Sequence, residues 1–462
     1  MAPMRTSAAE VAGCMTLRLT CGSTFLIAAL CLAACGGGGV GRPPPAPTYM
    51  IGGTLSGLPM GQQVVLKDNG ADSLTLSVDG AFTFKTAVAA NGSYSVTIAT
   101  QPTGQTCTVA NATGSMVMAN VTTVAVVCGA QPRFAYVVNN GDNTVSQYTI
   151  SAAGGLNPMS APTVPTGTSP QSVTVDPMGR YAYVSNKNDN TVSQYKISAD
   201  GSLAPMTPAT VATGVGPWAV TIDPKGSYAY VLDSTDSTIS QFVIGAGGML
   251  TPMVPATVAT GTQPWSITID PAGRFAYVGN NLDSTVSQYS IGAMGALTPL
   301  TPASVASGVR PTGIAVDPMS RYAYVADLQG NTVSQYTVAT GGVLAPQSPA
   351  TVGTGVQPVY IAVDPIGTNA YVANDSVLGA GTISQFKIGM SGLLTPMTVP
   401  TVTTGKGPAW IAIDRAGQYA YVVNITDHTV SQYAIAADGS LTPLSMPTVQ
   451  TGTQPFVIAI VD

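Results

Sequence analysis

The pentapeptide Thr144-Val145-Ser146-Gln147-Tyr148 recurs through the second part of the chain and decides the fold class. Six further copies, some with Ile or Phe substitutions, begin at Thr191, Thr238, Thr285, Thr332, Thr382 and Thr429. Its Gln occupies positions 147, 194, 241, 288, 335, 385 and 432, so the period is 47 residues with one interval of 50. An insertion around residues 376–381 accounts for the longer interval. This period, in a β-branched and aromatic stretch, indicates one propeller blade per repeat.

Each repeat carries four strand signals in the same order, which is typical of a four-stranded blade. The region opens on a second strand, residues 134–137, and ends on an unpartnered first strand, residues 455–460. We therefore predict an all-β chain in which the C-terminal strand completes the first blade. This interlocked closure would give a seven-bladed β-propeller without a free sheet edge.

The Tyr-Val-Ser-Asn and Tyr-Val-Val-Asn ends of the second strands, the Asp-Pro-x-Gly turns and the pentapeptide strands carry a family resemblance. They resemble the seven-bladed lactonase-like propellers with Tyr-Val-Thr-Asn-type repeats, over residues 131–462. The resemblance implies hydrolysis of a lactone such as 6-phosphogluconolactone, or binding without catalysis, because the same repeats serve many non-enzymes. It also implies that members with lactonase activity place His, Glu and Arg around the channel mouth.

Residues 1–34 have the features of an export signal, because Arg5 and Arg18 precede an apolar run that is too short to span a bilayer. Leu-Ala-Ala-Cys at residues 32–35 resembles the lipobox of bacterial lipoproteins. That resemblance implies cleavage before Cys35 and acylation of its thiol. Gly36, in place of an acidic residue, favours an outer-membrane location that faces the periplasm or the cell surface. An ordinary secretory signal is the alternative. Residues 35–48, rich in Gly and Pro, are interpreted as a tether.

Residues 49–130 lack the repeat and show alternating strands separated by Asn-Gly and Asp-Gly pairs, which favours a small β-sandwich. Strands are predicted at residues 63–66, 73–78, 81–85, 93–99, 106–110 and 121–127. The span resembles prealbumin-like and immunoglobulin-like modules of bacterial surface proteins. Cys107 and Cys128 are the only cysteines expected in the folded part of an exported protein, so we predict a disulfide between them. The module is interpreted as a spacer, with a binding role as the alternative.

Composition excludes several classes of partner. Only 8% of the residues are charged, the net charge is -5, and no run of Lys or Arg is present, so we expect neither nucleic acid nor anionic lipid to bind by charge. No Cys or His cluster has the spacing of a metal site. We expect no cofactor and a monomeric protein.

Catalytic residues are scarce, and none is predicted. Glu10 is the only Glu and would leave with the signal, and His428 is the only His and lies in a predicted hairpin turn. No Gly-x-Ser-x-Gly motif marks a nucleophile. Asp precedes Pro or Arg at the end of the innermost strand in six of the seven predicted blades, as expected of a turn device rather than a metal site. These residues are Asp176, Asp223, Asp270, Asp317, Asp364 and Asp414.

The candidate ligand site rests on residues that differ between blades. Aromatic and cationic side chains at or just before the innermost strands break the repeat, and this face should surround the channel mouth. They are Trp218, Trp265, Arg310, Tyr360, Lys406 and Trp410. Aromatic faces with few charges suit a glycan, a small anion or a partner protein; the alternative is that they only fill space between blades. We expect a lipid-anchored binding or scaffold propeller, with a lactonase-like hydrolase as the alternative.

Anchoring is testable through the thiol of Cys35. The Cys35→Ser variant should lose lipid labelling and appear in the soluble fraction, because the acyl acceptor is gone. Unchanged membrane fractionation of the variant would contradict the lipoprotein interpretation.

Overall fold

The computed structural model describes residues 45–102, 105–115, 117–130, 133–376 and 379–462. Within these ranges every regular secondary-structure element is a β-strand. The described part contains no helix long and apolar enough to cross a membrane. The predicted signal, Cys35 and most of the tether lie outside the described residues.

Ten strands precede the repeats. They are β1 Thr48–Tyr49, β2 Ile51–Ser56, β3 Val64–Asp68, β4 Asp72–Leu76, β5 Gly80–Thr83, β6 Val88–Ala89, β7 Tyr94–Thr100, β8 Gln105–Ala110, β9 Thr113–Gly114 and β10 Val121–Ala130. Two four-stranded sheets, with the orders β5-β2-β10-β8 and β4-β3-β7-β9, share one hydrophobic core. Cys107 and Cys128 lie opposite each other on β8 and β10 and form the predicted disulfide.

The sequence analysis missed β2, which is a central strand of the first sheet. Its Gly52-Gly53 pair looks like a turn signal, yet it lies where two strands approach closely. A Cβ on Gly53 would come within 1.7 Å of the Val124 carbonyl oxygen on β10. Glycine is therefore required inside this strand, because any side chain would separate the parallel pair β2 and β10.

The repeat region forms seven four-stranded sheets. Its first strands are β11 Arg133–Asn139, β12 Thr144–Ile150, β13 Leu156–Pro165, β14 Pro170–Val175, β15 Tyr181–Asn186, β16 Thr191–Ile197, β17 Leu203–Ala212, β18 Pro217–Ile222, β19 Tyr228–Asp233, β20 Thr238–Ile244, β21 Leu250–Ala259, β22 Pro264–Ile269, β23 Phe275–Asn280, β24 Thr285–Ile291 and β25 Leu297–Ala306. The remaining strands are β26 Pro311–Val316, β27 Tyr322–Asp327, β28 Thr332–Val338, β29 Leu344–Gly353, β30 Pro358–Val363, β31 Asn369–Asn374, β32 Thr382–Ile388, β33 Leu394–Thr403, β34 Pro408–Ile413, β35 Tyr419–Asn424, β36 Thr429–Ile435, β37 Leu441–Gln450 and β38 Pro455–Val461.

The predicted closure is confirmed. Strand β38 pairs antiparallel with β11, so blade 1 consists of β13-β12-β11-β38 and blades 2 to 7 follow in chain order. The innermost strands β14, β18, β22, β26, β30, β34 and β38 contact one another in that order, and β38 also contacts β14. The all-β seven-bladed propeller is therefore a closed ring around a central channel.

The repeated Gln connects each blade to the next one. In blade 1 the Gln147 Nε2 donates to the Ala161 carbonyl of its own outer strand, at 2.9 Å. The backbone N–H of Leu203, in blade 2, donates to the Gln147 Oε1 at 2.7 Å. The same pair of bonds recurs around the ring and ends with Gln432, whose Oε1 accepts from Leu156 of blade 1 at 2.6 Å. This confirms that the Gln residues serve packing between blades, since buried amides need partners.

The repeated Tyr of the second strand also connects each blade to the next one. The Tyr183 hydroxyl donates to the Gly248 carbonyl of the next blade at 2.6 Å, and the Tyr421 hydroxyl donates to Gly154 of blade 1 at 2.7 Å. Gly248 has a φ of 82°, and a Cβ there would lie 2.4 Å from the Tyr181 ring. Glycine is thus needed at this turn both for its backbone conformation and for the close approach of the neighbouring blade.

The repeated Asp after the innermost strand is a turn device, as predicted. The Asp176 carboxylate accepts hydrogen bonds from the backbone N–H groups of Arg180 and Tyr181 and pairs with the Arg180 side chain at 3.0 Å. Equivalent backbone bonds hold the other five turns. Within the described residues, no cluster of His, Cys, Asp and Glu could hold a metal ion.

Two blades depart from the pattern at the end of the second strand. Five blades have Asn there, and blades 3 and 5 have Asp233 and Asp327, both fully buried. The Asn186 Nδ2 donates to two hydroxyls while its Oδ1 accepts from the Gly167 N–H. The Asp233 Oδ2 instead accepts from Thr238 and Ser240, and its Oδ1 has no partner in the part of the chain that the structure describes. Burial raises the pKa of both Asp233 and Asp327 to about 6.

These two carboxyls should make stability depend on pH. Because the folded-state pKa lies above the ordinary value of 3.8, their contribution is fully present below about pH 4 and is lost as pH rises through about 6. The Asp233→Asn/Asp327→Asn double variant restores the Asn arrangement of the other blades. Its free energy of unfolding at pH 8 should exceed that of the parent by about 1–3 kcal/mol per site, the usual cost of an unpaired buried polar group.

Denaturant unfolding at pH 4.5 and pH 8 measures this difference. Asn280→Asp is the matched control, because it adds the same carboxyl to blade 4 and should lower stability at pH 8 only. Equal stability of the double variant and the parent at pH 8 would contradict the assignment.

Candidate functional site

The N-terminal ends of the innermost strands surround a cavity of about 420 Å³ on the channel axis. Residues from all seven blades line it, and the loops between second and third strands of blades 5 to 7 add Leu328, Asp375 and Ile425. A second cavity of about 760 Å³ lies at the other ends of β14 and β38. Its Asp176 and Arg180 are already paired with each other in a turn. The first cavity, here called the mouth cavity, is therefore the better candidate although it is smaller.

Four of the six predicted site residues line the mouth cavity: Trp218, Trp265, Tyr360 and Trp410. They form two groups rather than one cluster. Trp218 makes edge contacts with Trp265 and with Phe456, at ring-centroid distances of 5.0 and 6.3 Å. Tyr360 stacks on Trp410 at 3.6 Å. The two groups differ in their position along the strand. The aromatic residue follows the first Pro of the strand directly in Trp218, Trp265 and Phe456. It comes one residue later in Tyr360 and Trp410.

The two predicted cations do not line the cavity. Arg310 precedes β26 with a left-handed φ of 59°, and its Nε donates to the Asn281 Oδ1 at 3.1 Å. Lys406 is exposed, and its backbone N–H donates to Asp427 at 2.8 Å. A cation that the sequence analysis overlooked contacts a residue of the cavity wall: the Lys187 Nζ lies 4.9 Å from the centre of the Trp218 ring.

Neutral polar groups line one side of the cavity. Gln171 and Ser266 are 5% and 6% exposed, and the Gln171 Oε1 and the Ser266 Oγ have no hydrogen-bond partner among the described residues. Thr174, Thr221 and Thr268 also line the cavity, and their hydroxyls bond to no other described group. Unpaired buried polar atoms at a cavity surface are positions where a ligand can supply the missing bond.

Asp375 is the only carboxylate that lines the mouth cavity within the described part of the chain. It directly follows β31, in a loop of seven residues (375–381), whereas the corresponding loop of blade 2 has four (187–190). Its backbone N–H donates to Gln357, and its side chain has no described partner. Burial raises the pKa of Asp375 above that of an ordinary aspartate.

His428 does not reach the cavity. Its Nδ1 accepts a hydrogen bond from the Gln454 N–H at 3.0 Å. The backbone of His428 is left-handed, with a φ of 56°. Asn143 and Asn190 occupy the same turn in blades 1 and 2, with a similar φ, and accept the equivalent backbone bond. The interpretation of His428 as a turn substitution is therefore confirmed.

The overlooked residues had signals in the sequence. The fifth residue of each innermost strand is Thr in blades 2 to 4 and Ala in the four others. The residue after the second strand is Asn140, Lys187, Ser234, Asn281, Leu328, Asp375 or Ile425. Both positions vary between blades, so both could have been found by the comparison that identified the Trp residues.

Comparison with known families agrees with this architecture. The family described as "Lactonase, 7-bladed beta-propeller" matches residues 59–255, 248–352 and 346–456. The chain belongs to this lactonase propeller family. The first match begins upstream of residue 131, so it includes part of the N-terminal module. No curated protein matches the sequence significantly.

Solved structures of similar fold include a putative 6-phosphogluconolactonase from Bacteroides fragilis, with 21% identity and a TM-score of 0.63 over 72% of this chain and 98% of that chain. The periplasmic gluconolactonase of Pseudomonas aeruginosa has 17% identity and a TM-score of 0.61, covering 72% and 99% of the two chains. A functionally unknown protein from Desulfotomaculum acetoxidans has 18% identity and a TM-score of 0.57, covering 71% and 98%. At these identities the likeness concerns the fold alone.

Proposed function

We propose that the chain is a lactonase-like hydrolase that opens a sugar lactone in the mouth cavity, with Asp375 as the general base. The observation that carries the proposal is the position of Asp375, a carboxylate with no partner among the described residues, in a cavity lined by aromatic and hydroxyl side chains. Membership of the lactonase family supports the choice of reaction. In this proposal a single aspartate does the acid–base work, because no Glu or His lines the cavity among the described residues.

The chemistry requires a base and a bound ring. The Asp375 carboxylate accepts a proton from a water molecule while the water oxygen bonds to the lactone carbonyl carbon. The bond between that carbon and the ring oxygen then breaks, and the ring oxygen takes the proton from Asp375. The product is a hydroxy acid, and the carboxylate is regenerated. The raised pKa of Asp375 makes its carboxylate a stronger proton acceptor than an exposed aspartate.

A binding module without turnover is the second candidate. One observation favours it: within the described residues, no His, Glu or Arg lines the mouth cavity. Stacking on Tyr360 and Trp410 would hold such a ligand without chemistry. The two candidates share one site and differ in whether bound lactone is hydrolysed.

We also propose that the protein acts in the cell envelope as a lipoprotein. The support is the Leu-Ala-Ala-Cys sequence at residues 32–35 and the Gly- and Pro-rich stretch that follows it. The N-terminal module would then hold the propeller away from the membrane.

Hydrolysis of D-glucono-1,5-lactone by the purified protein tests the proposal. Asp375→Asn should lower kcat at least about 100-fold, the usual contribution of a general base. The activity of the parent should fall as pH drops through a pKa above 3.8, because the base must be ionised.

Asp200→Asn, in an exposed turn, is the control and should keep full activity. Saturable lactone binding without turnover in the parent would overturn the hydrolase in favour of the binding module. Full activity of Asp375→Asn would remove this residue from the mechanism.

A further inference from the structure

We propose that the mouth cavity selects an uncharged lactone, with the hydroxyl-bearing edge of its ring against blades 2 to 4 and its apolar face against blades 6 and 7. This inference rests on the proposed function and adds the substrate class and the specificity residues.

The hydroxyl side is built by one strand register. The fifth residue of the innermost strand is Thr174, Thr221 and Thr268 in three consecutive blades. Each of these threonines lines the cavity, and its hydroxyl has one donor and two acceptor lone pairs to offer. The Gln171 Oε1 and the Ser266 Oγ, which have no partner among the described residues, belong to the same three blades. Several neutral partners on one arc match the vicinal hydroxyls of a sugar ring.

On the opposite side of the cavity, the fifth residue of the innermost strand is apolar. Blades 5, 6, 7 and 1 place Ala315, Ala362, Ala412 and Ala459 there. Val359, Tyr360, Ala409 and Trp410 line this side of the cavity. The stacked Tyr360–Trp410 pair offers a flat surface for the C–H face of a ring. The two sides together fix how a ring with one polar edge can enter.

The charge of the wall excludes a phosphorylated substrate. Asp375 is the only charged side chain that lines the cavity among the described residues, and it is an anion. The Lys187 ammonium lies over the Trp218 ring at the rim, and the Arg310 guanidinium is bonded to Asn281. A phosphate inside the cavity would therefore lose its hydration without a paired cation and would meet a carboxylate, which is unfavourable.

Tryptophan fluorescence reports directly on this cavity, because all three Trp residues of the chain line it. We propose titrating the protein with freshly prepared D-glucono-1,5-lactone and with its 6-phosphate. The neutral lactone should bind at least tenfold more tightly. Thr221→Ala should weaken its binding about five- to tenfold, because one neutral hydrogen bond is lost.

The Thr221→Ala variant should fold, since four blades already carry Ala at this register. Thr257→Ala, on an exposed outer strand, is the matched control and should bind like the parent. Equal or tighter binding of the phosphorylated lactone, or unchanged binding by Thr221→Ala, would overturn the inference and leave the proposed hydrolase standing. If neither lactone changes the fluorescence and neither is hydrolysed, the proposed function fails as well.

Discussion

The amide bridge between neighbouring blades is the interaction on which the propeller depends. Each repeated Gln donates to its own outer strand and accepts from the first residue of the next blade's outer strand, at 2.6 Å for Gln432 and 2.7 Å for Gln147. The side chains are buried, so an unmatched amide would be costly. The bridge therefore fixes the distance and the register between blades, and Gln432 closes the ring onto Leu156.

A uniform frame of this kind restricts where function can lie. The repeated Gln, Tyr and Asp side chains already use their hydrogen-bonding groups within a blade or between neighbouring blades. Only positions that differ between blades remain available to recognise a ligand. The mouth cavity collects such positions: the Trp218 and Trp410 groups, the threonines of blades 2 to 4, and Asp375 in the extended loop of blade 6. A ligand on the axis of this near-symmetric ring is therefore recognised by the few residues that differ from the repeat.

The sequence was sufficient for the frame because each blade repeats the same evidence. The 47-residue period, the strand order and the missing first strand of blade 1 together predicted the closed ring, and the ring-wide Gln predicted a packing role. Strand β2 escaped prediction because Gly52-Gly53 resembles a turn, and the need for glycine arises only from its contact with β10.

The site was less predictable, since it depends on side chains from different blades. The register placed Trp218 and Trp410 in separate groups, and a local sequence pattern could not show their contacts. Arg310 was a reasonable candidate by charge, but its Nε donates to Asn281 and the residue does not line the cavity. Asp375 carried no motif; its position varies between blades, but only the structure shows that this residue lines the cavity.

The central claim is that the broken symmetry at the mouth cavity makes the ligand site. A crystal structure of the protein soaked with gluconate or with a non-hydrolysable lactam analogue of the neutral lactone tests it most directly. The account predicts ligand density between Thr221 and the Tyr360–Trp410 pair, with a ring hydroxyl on a threonine of blades 2 to 4. Density only in the opposite cavity, beside Asp176 and Arg180, or a channel left empty at saturating ligand, would contradict it.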